Sequence, residues 1–291
     1  MSIRTLDDAP ATAPLYLKAA LPALPLIGRL PGVRHAGGDL PDTTLAREHI
    51  TTDGANLAAY ADVCGFPLRN TVPVTYPHMA AFGLQMALMT DASFPFAPMG
   101  LVHLSNSITQ YVPIGVTDEY AMTVQAANLR PHPRGRLVDL VSRATVDGTV
   151  VWEETSSYLA RGRRNDSVTA DSPVAGVEAP TGSTRWRLRG DLGRRYGAVS
   201  GDRNPIHLYA LSAKAFGFPR QIAHGLWTKA RCLAAIETRL PEAYRVDVEF
   251  KKPILLPGSV TFGCEFGDDT TFGVTSAEHT KTHLVGRVSP A

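Results

Sequence analysis

Apolar residues in the second part of the chain follow a helical period and then a strand period. Residues 224–240 carry apolar side chains spaced as on a helix, and Pro241 ends that helix. Four short segments follow, each rich in β-branched or aromatic residues and bounded by Gly, Pro or Asp. Val246, Val248 and Phe250 show the alternation of a strand with one buried face. The pattern predicts one long helix followed by antiparallel strands.

The first part of the chain repeats this order. Residues 78–90 form an almost wholly apolar helical segment, and four strand-like segments follow it. A helix of this kind is buried on most of its circumference, so the sheet must wrap around it. We therefore predict an α+β fold of two units, each with a long central helix wrapped by an antiparallel sheet.

A polar segment separates the two units. Residues 161–184 contain few large apolar side chains and many Arg, Ser, Thr, Gly and Pro. We expect a linker there, between an N-terminal unit of residues 1–160 and a C-terminal unit of residues 185–291.

Composition and charge exclude several classes of protein. The 291 residues include 29 basic and 27 acidic ones, which gives a formal charge of +2. The chain therefore lacks the large excess of basic residues that is typical of a nucleic-acid-binding domain. No window offers about 18 uninterrupted apolar residues, as a membrane span requires. The three cysteines fit neither a disulfide framework nor a thiolate zinc site. We expect a cytoplasmic protein without a nucleic-acid partner, a membrane span or a metal site.

Candidate chemistry lies in residues 196–207, which read YGAVSGDRNPIH. Asp202, Asn204 and His207 lie close together on a stretch interrupted by glycine and proline, so we expect an irregular backbone that turns them into one space. A carboxylate beside an imidazole can accept or deliver protons near neutral pH, which predicts a water-activating pair. The same residues also suit a plain turn, in which Asp and Asn bond local backbone.

The whole string resembles the signature of the hydratase 2 group in the MaoC-like dehydratase family, whose fold is the hotdog. The resemblance implies that Asp202 and His207 act on a water, and that Asn204 contacts this water or the substrate. It also implies that the backbone N–H of Gly225, which opens the second central helix, polarises a thioester carbonyl. An N–H at a helix N-terminus suits that role, and glycine lets the substrate approach closely.

Four further residues complete the predicted substrate-binding set. The signature assigns Ser200 and Gly201 to support of the loop. His224 precedes Gly225 and also suits a structural role at the helix start. The first unit lacks the signature, and in this family such a unit makes room for a long acyl chain. Met86 is a predicted contact for that chain, and it equally suits an ordinary core.

Arginines are concentrated around the predicted linker. Eight lie between residues 161 and 195, against four acids. They suit capture of the phosphates of coenzyme A or of an acidic carrier protein, and they also suit a solvated linker.

Two units with the signature only in the second resemble the double-hotdog 3-hydroxyacyl-thioester dehydratases of actinobacterial type. The resemblance implies a lyase of fatty-acid metabolism that reversibly hydrates trans-2-enoyl thioesters of coenzyme A or acyl carrier protein to (R)-3-hydroxyacyl thioesters. No cofactor is implied, and the chain has neither a GxGxxG between strand and helix nor an HExxH. The alternatives are a non-catalytic subunit that binds acyl thioesters and a hotdog thioesterase. A monomer and a homodimer both suit two hotdogs in one chain.

Overall fold

The computed structural model describes residues 2–20 and 38–291. The strands are β1 (Ser2–Thr5), β2 (Thr43–Ile50), β3 (Leu101–Gln110), β4 (Tyr120–His132), β5 (Gly135–Val146), β6 (Thr149–Arg161), β7 (Thr184–Leu188), β8 (Tyr244–Phe250), β9 (Gly258–Glu265), β10 (Thr270–Ser276) and β11 (Thr282–Pro290). The α-helices are α1 (Thr12–Ala20), α2 (Gly54–Cys64), α3 (His78–Met89), α4 (Leu192–Ser200), α5 (Pro205–Leu208), α6 (Ala210–Ala215) and α7 (Gly225–Ile236). Single 3₁₀ turns lie at Pro98–Gly100 and Glu237–Arg239.

The strands form one eleven-stranded sheet in the order β1-β2-β4-β5-β6-β3-β8-β11-β10-β9-β7. β3 and β8 pair antiparallel at its centre, with Asn106 opposite Val248, and this pair joins the two halves of the chain. β1 is parallel to β2 at one edge, and β7 lies at the other. The predicted order of one helix followed by four antiparallel strands is confirmed in both halves.

The two central helices lie in the core. In α3, nine of twelve residues are buried, so the prediction that this helix is covered on most of its circumference is confirmed. α7 begins at Gly225 and ends at Ile236, after which the chain tightens into the 3₁₀ turn. The α-helix is thus shorter at both ends than the predicted 224–240, as is usual for helix ends, which fray and tighten.

Helix α2, which apolar periodicity did not predict, connects the two halves. Asp53 caps it by accepting hydrogen bonds from the amides of Ala55 and Asn56 at 2.9 and 3.2 Å. Its last turn accepts a hydrogen bond of 2.8 Å from the indole of Trp227 in α7, at the carbonyl of Val63. α2 also packs against α4, which precedes the signature loop.

Residues 162–183 contain no helix or strand. The amides of Gly162 and Asn165 bond the turn between β4 and β5 in the first half, and the later part of the segment contacts the second half. Ser172 donates a hydrogen bond of 2.5 Å to Glu249, and Val174 is buried. Ala179 packs on Gly273 of β10. This segment is therefore fastened to the sheet, and the boundaries 160 and 185 between two units stay a prediction.

Candidate active site

The signature begins in a helix, and His207 lies in a second, short helix, which corrects in part the expectation of an irregular backbone from Asp202 to His207. Residues 196–200 form the last turns of α4. Gly201 ends this helix with a φ of 74°, a left-handed conformation that favours glycine. Pro205 then opens the short helix α5, with Asn204 as its cap. The irregular backbone is confined to residues 201–204, and the two helices fix its ends.

Asp202, His207 and His224 come together at the start of α7. The rings of His207 and His224 stack with their centroids 3.7 Å apart and their planes at 26°. Nε2 of His224 donates a hydrogen bond of 3.0 Å to the backbone carbonyl of Asp202 and lies 3.8 Å from its carboxylate oxygen Oδ2. The structure therefore brings the predicted Asp–His pair together and adds His224 as a third member.

Hydrogen bonds fix the proton positions on both rings. Nδ1 of His207 faces the carbonyl of Ile222 at 2.8 Å, and a carbonyl only accepts, so Nδ1 carries the proton. Burial lowers the pKa of His207 and lowers that of His224 to about 3, so both rings are neutral at pH 7. The Nε2 of neutral His207 then carries a lone pair that can accept a proton.

The carboxylate of Asp202 is held in its ionised form. Its Oδ1 accepts a hydrogen bond of 3.1 Å from the amide of Asn204 and another from the hydroxyl of Tyr16. Burial acts to raise the pKa of Asp202, whereas the hydrogen bonds from Tyr16 and Asn204 act to lower it, and the pKa lies below its ordinary value. Asp202 and His207 are therefore both proton acceptors at neutral pH.

The local bonds of a plain turn are also present. The side-chain oxygen of Asn204 accepts a hydrogen bond of 3.3 Å from the amide of Ile206, and Ser200 Oγ accepts one of 3.2 Å from the amide of Asp202. These bonds hold the loop that presents Asp202. The role of Asn204 towards water or substrate, and those of Ser200 and Gly201 towards substrate, stay predictions.

Gly225 is the first residue of α7, where the N–H groups have no partner within the helix. Its amide lies at the positive end of the helix dipole, which suits a developing negative charge. A Cβ at this position would lie 2.9 Å from the ring of Phe250. Phe250 thus fills the space where a side chain at position 225 would lie, so this packing requires glycine. The close approach of a substrate to the amide of Gly225 stays a prediction.

Residues from the first half also lie in this region, and the sequence did not predict them as part of the site. His103 of β3 stacks on Tyr158 of β6 with centroids 4.5 Å apart, and its centroid lies 5.0 Å from that of Phe250 in an edge-to-face arrangement. Its Nε2 is buried without a hydrogen-bond partner among the described residues. Only the pairing of β3 with β8 places these rings beside Gly225, so the local signature gave no signal for them.

Met86 lies apart from the signature in α3. Its side chain is buried in the apolar core, and its carbonyl accepts a hydrogen bond of 2.8 Å from the hydroxyl of Thr90. The predicted contact of Met86 with an acyl chain stays a prediction.

The donor atoms of Asp202, His207 and His224 lie within 4.8 Å of one another, as in some metal sites. Stacked imidazoles, however, direct their in-plane lone pairs side by side, whereas zinc ligands converge on one ion. Nε2 of His224 is moreover occupied in donating to a carbonyl. The geometry suits proton transfer better than metal binding, and the absence of a metal stays a prediction.

A second buried polar cluster occupies the equivalent helix start in the first half. His78 bonds Glu154 at 2.8 Å, and Glu154 also accepts hydrogen bonds from Gln85 and Asn106 at 3.1 and 2.6 Å. Lys229 of α7 completes it by donating to Asn106 Oδ1 at 2.5 Å. Because Lys229 belongs to the second half and the other members to the first, this cluster forms a polar connection between the halves.

Six of the eight arginines between residues 161 and 195 line one of two separate surface grooves. One groove of about 400 Å³ is lined by five arginines, namely Arg185, Arg187, Arg189, Arg195 and Arg231. The other, of about 600 Å³, is lined by four, namely Arg130, Arg136, Arg163 and Arg164. The run in the sequence is therefore not one phosphate site in space.

The protein has one large sheet around two buried central helices, and an Asp–His cluster lies at the start of one of these helices. These features define its class as that of the double-hotdog dehydratases. Residues 178–286 match the MaoC like domain. The chain is 43% identical over 253 residues to 3-hydroxyacyl-thioester dehydratase X of Mycobacterium tuberculosis, covering 87% of this chain and 88% of that protein. The chain belongs to the MaoC-like dehydratase family.

Solved structures agree with this membership. A crystal structure of the same mycobacterial dehydratase superposes with a TM-score of 0.75 at 40% identity, over 85% of this chain and all of that one. Another M. tuberculosis protein, described as a double hotdog, gives a TM-score of 0.53 at 12% identity over 84% of this chain and 94% of its own. This second likeness shows the fold alone. The predicted double hotdog is confirmed.

Proposed function

We propose that this protein is a hydro-lyase that reversibly adds water to trans-2-enoyl thioesters and yields (R)-3-hydroxyacyl thioesters. The observation that carries the proposal is the placement of two proton acceptors, the Asp202 carboxylate and Nε2 of His207, beside the first N–H groups of α7. The 43% identity with a 3-hydroxyacyl-thioester dehydratase over most of both chains supports it.

The two acceptors suit a water that must act as a nucleophile. In the proposed step the water donates one hydrogen to Asp202 and the other to His207, so that a lone pair on its oxygen faces C3 of the enoyl group. The oxygen forms a bond to C3 while one of the two residues takes a proton. Because both groups share one buried cluster, the proton belongs to the pair and not to either residue alone.

The electrons of the double bond then move onto the thioester carbonyl. The amide of Gly225 stabilises the resulting enolate oxygen, since the helix terminus supplies a fixed donor and a favourable dipole. The protonated pair next delivers its proton to C2, which restores the carbonyl and completes the addition of H and OH. Addition and protonation from one cluster on one face of the substrate support a syn course.

The same proposal covers substrate carrier, location and assembly. We expect the thioester of coenzyme A or of an acyl carrier protein, since the family acts on thioesters. A cytoplasmic location is supported by Cys64, Cys232 and Cys264, which are free thiols. None of the helices in residues 2–20 and 38–291 is long and apolar enough to cross a membrane. A homodimer stays a prediction, which size-exclusion chromatography with light scattering would test.

Replacement of Asp202 by Asn tests the proposal. We expect the variant to keep its fold and to lose on the order of 10²–10⁴ in turnover, the usual contribution of a positioned acid–base group. The measurement is the loss of absorbance of the conjugated enoyl thioester, with crotonyl-CoA and then a longer trans-2-enoyl-CoA. Asp166→Asn is the matched control, because Asp166 is exposed and pairs with Arg164 at the surface.

A thiol reagent in parallel samples separates the alternatives. Hydration consumes the double bond without releasing thiol, whereas a thioesterase would release it. Wild-type turnover in Asp202→Asn would remove Asp202 from the reaction. Binding of enoyl-CoA and of the carrier-protein thioester without turnover of either would identify an acyl-binding protein instead.

A further inference from the structure

The N-terminal segment crosses from the edge of the sheet to the signature loop. β1 lies beside β2, and Pro10 then packs on Gly83 of α3, whose Cβ would come within 3.3 Å of the Pro10 carbonyl oxygen. A Cβ on Gly201 would lie 3.5 Å from the side chain of Thr12. α1 is therefore fastened both to the central helix of the first half and to the loop that carries Asp202.

Tyr16 is the residue of α1 that enters the cluster. Its ring packs against the core, and its hydroxyl donates a hydrogen bond to Oδ1 of Asp202. Burial and the charge of Asp202 raise the pKa of Tyr16 well above its ordinary value, so the phenol stays protonated. It is a donor throughout the range in which Asp202 is a carboxylate.

The two oxygens of Asp202 therefore have different surroundings. Oδ1 receives the hydroxyl of Tyr16 and the amide of Asn204, which together fix the rotation of the carboxylate. Oδ2 has His224 Nε2 at 3.8 Å, beyond hydrogen-bond distance. With Oδ1 occupied, Oδ2 is the oxygen left for water.

We propose that Tyr16 is a positioning residue, which orients the Asp202 carboxylate so that Oδ2 faces the reacting water. The inference rests on the proposed hydration, since it assigns Tyr16 a part in that reaction. Tyr16 does not exchange protons itself, and it acts only through Asp202.

This role predicts how the pH dependence of the rate changes when the hydroxyl of Tyr16 is removed. The titratable groups that face Asp202 from the surrounding elements are Tyr16, His103, Tyr158, Tyr196, His207 and His224. Tyr16 bonds the ionised form of Asp202 and so lowers its pKa. Removal of the hydroxyl raises that pKa, and activity then begins to fall at a higher pH as the solution is acidified.

The test compares Tyr16→Phe with Leu17→Ala, which changes an exposed neighbour on the same helix. The phenylalanine keeps the packed ring and removes only the hydroxyl. We expect kcat to fall roughly tenfold with a KM within about twofold of wild type, the size expected for one hydrogen bond to a charged group. The acid limb of kcat should move to higher pH, whereas Leu17→Ala should retain both the rate and the profile.

A second variant separates positioning from mere covering of the site. If α1 only covered the site, Tyr16→Ala would loosen it and give faster turnover or a lower KM, and this would overturn the proposal. Under the proposal Tyr16→Ala loses at least as much rate as Tyr16→Phe. An unchanged rate and pH profile in Tyr16→Phe would equally overturn it.

The proposed hydration and the role of Tyr16 can fail separately. Inactivity of both the wild type and Leu17→Ala on every enoyl thioester would count against the hydration alone. The Tyr16 contact is then judged by NMR titration of ¹³C-labelled aspartate carboxyls, with the Asp202 signal assigned from Asp202→Asn. A higher Asp202 pKa in Tyr16→Phe supports the inference, and an unchanged one overturns it.

Discussion

At the scale of single residues, the contact between Gly225 and Phe250 connects the oxyanion donor to the central strand β8. The ring of Phe250 occupies the position of a side chain on residue 225, and His103 also packs on that ring. The amide at the start of α7 is thus positioned by packing against aromatic side chains from both halves of the sheet.

Replacing Gly225 by Ala should therefore displace the start of α7. Because a Cβ would lie 2.9 Å from the Phe250 ring, either the ring or the helix must move. We expect a loss on the order of 10² in kcat, the effect of a displacement of about 1 Å in a site. Steady-state hydration kinetics measure it, and Gly54→Ala is the control because nothing lies within 4 Å of its Cβ position.

A compensating substitution, Phe250→Leu, tests whether the loss of rate in Gly225→Ala comes from the steric clash with the Phe250 ring. In the double variant Gly225→Ala/Phe250→Leu the smaller side chain makes room, so the rate should recover relative to Gly225→Ala. No recovery, or wild-type kcat in Gly225→Ala alone, would contradict the packing argument.

At the scale of elements, periodicity located most of the fold and missed two parts of the site. The helix in residues 78–90 was predictable because it is a long, almost wholly apolar segment, and the strand around Val246 because apolar residues occupy every second position of its sequence. The turns of α4 through Ser200 were not, because the glycines of the signature suggested a loop. The contact of Tyr16 with Asp202 joins residues 186 positions apart, which no local pattern reports.

The packing of α4 on α5 explains the glycine at position 193. A Cβ there would come within 2.0 Å of the carbonyl oxygen of His207. Gly193→Ala should push α5 away, lower the free energy of unfolding by about 1–3 kcal/mol and reduce kcat through His207. Urea unfolding and hydration kinetics measure both.

Gly190→Ala is the comparison, because its Cβ would meet Pro257 at an ordinary 3.5 Å. If Gly193→Ala matched Gly190→Ala in both stability and rate, the close approach of the two helices would not matter.

At the scale of the whole molecule, buried ionisable groups cross the boundary between the halves. Lys229 of α7 enters the polar cluster of the first half, and burial lowers its pKa to about 7. His103 lies on the central strand pair, where burial lowers its pKa to about 3. The signature indicated neither of these burials, since the ionisable groups come together only when the two halves share one sheet.

His103 should make the stability of the protein depend on acidity. The unfolded chain takes up a proton at His103 near pH 6.5, whereas the folded protein does so only near pH 3. The free energy of unfolding therefore falls as the pH falls from 6.5 towards 3, and above pH 6.5 this contribution vanishes.

His103→Phe retains an aromatic ring beside Tyr158 and removes the imidazole that takes up the proton. Its stability relative to wild type should be higher at pH 5 than at pH 7.5, which urea unfolding at the two pH values measures. An identical pH dependence in the two proteins would refute the assignment.

The central β3–β8 pair has a consequence for how such a protein can diverge. Two separate copies of one hotdog must remain self-complementary, so any change on one copy appears on both. Here the pairing partners are different strands of one polypeptide. Each half can accumulate substitutions that the other does not share, and inheritance keeps the matched pair together. The first half is thereby free to specialise while the second retains the Asp202 cluster.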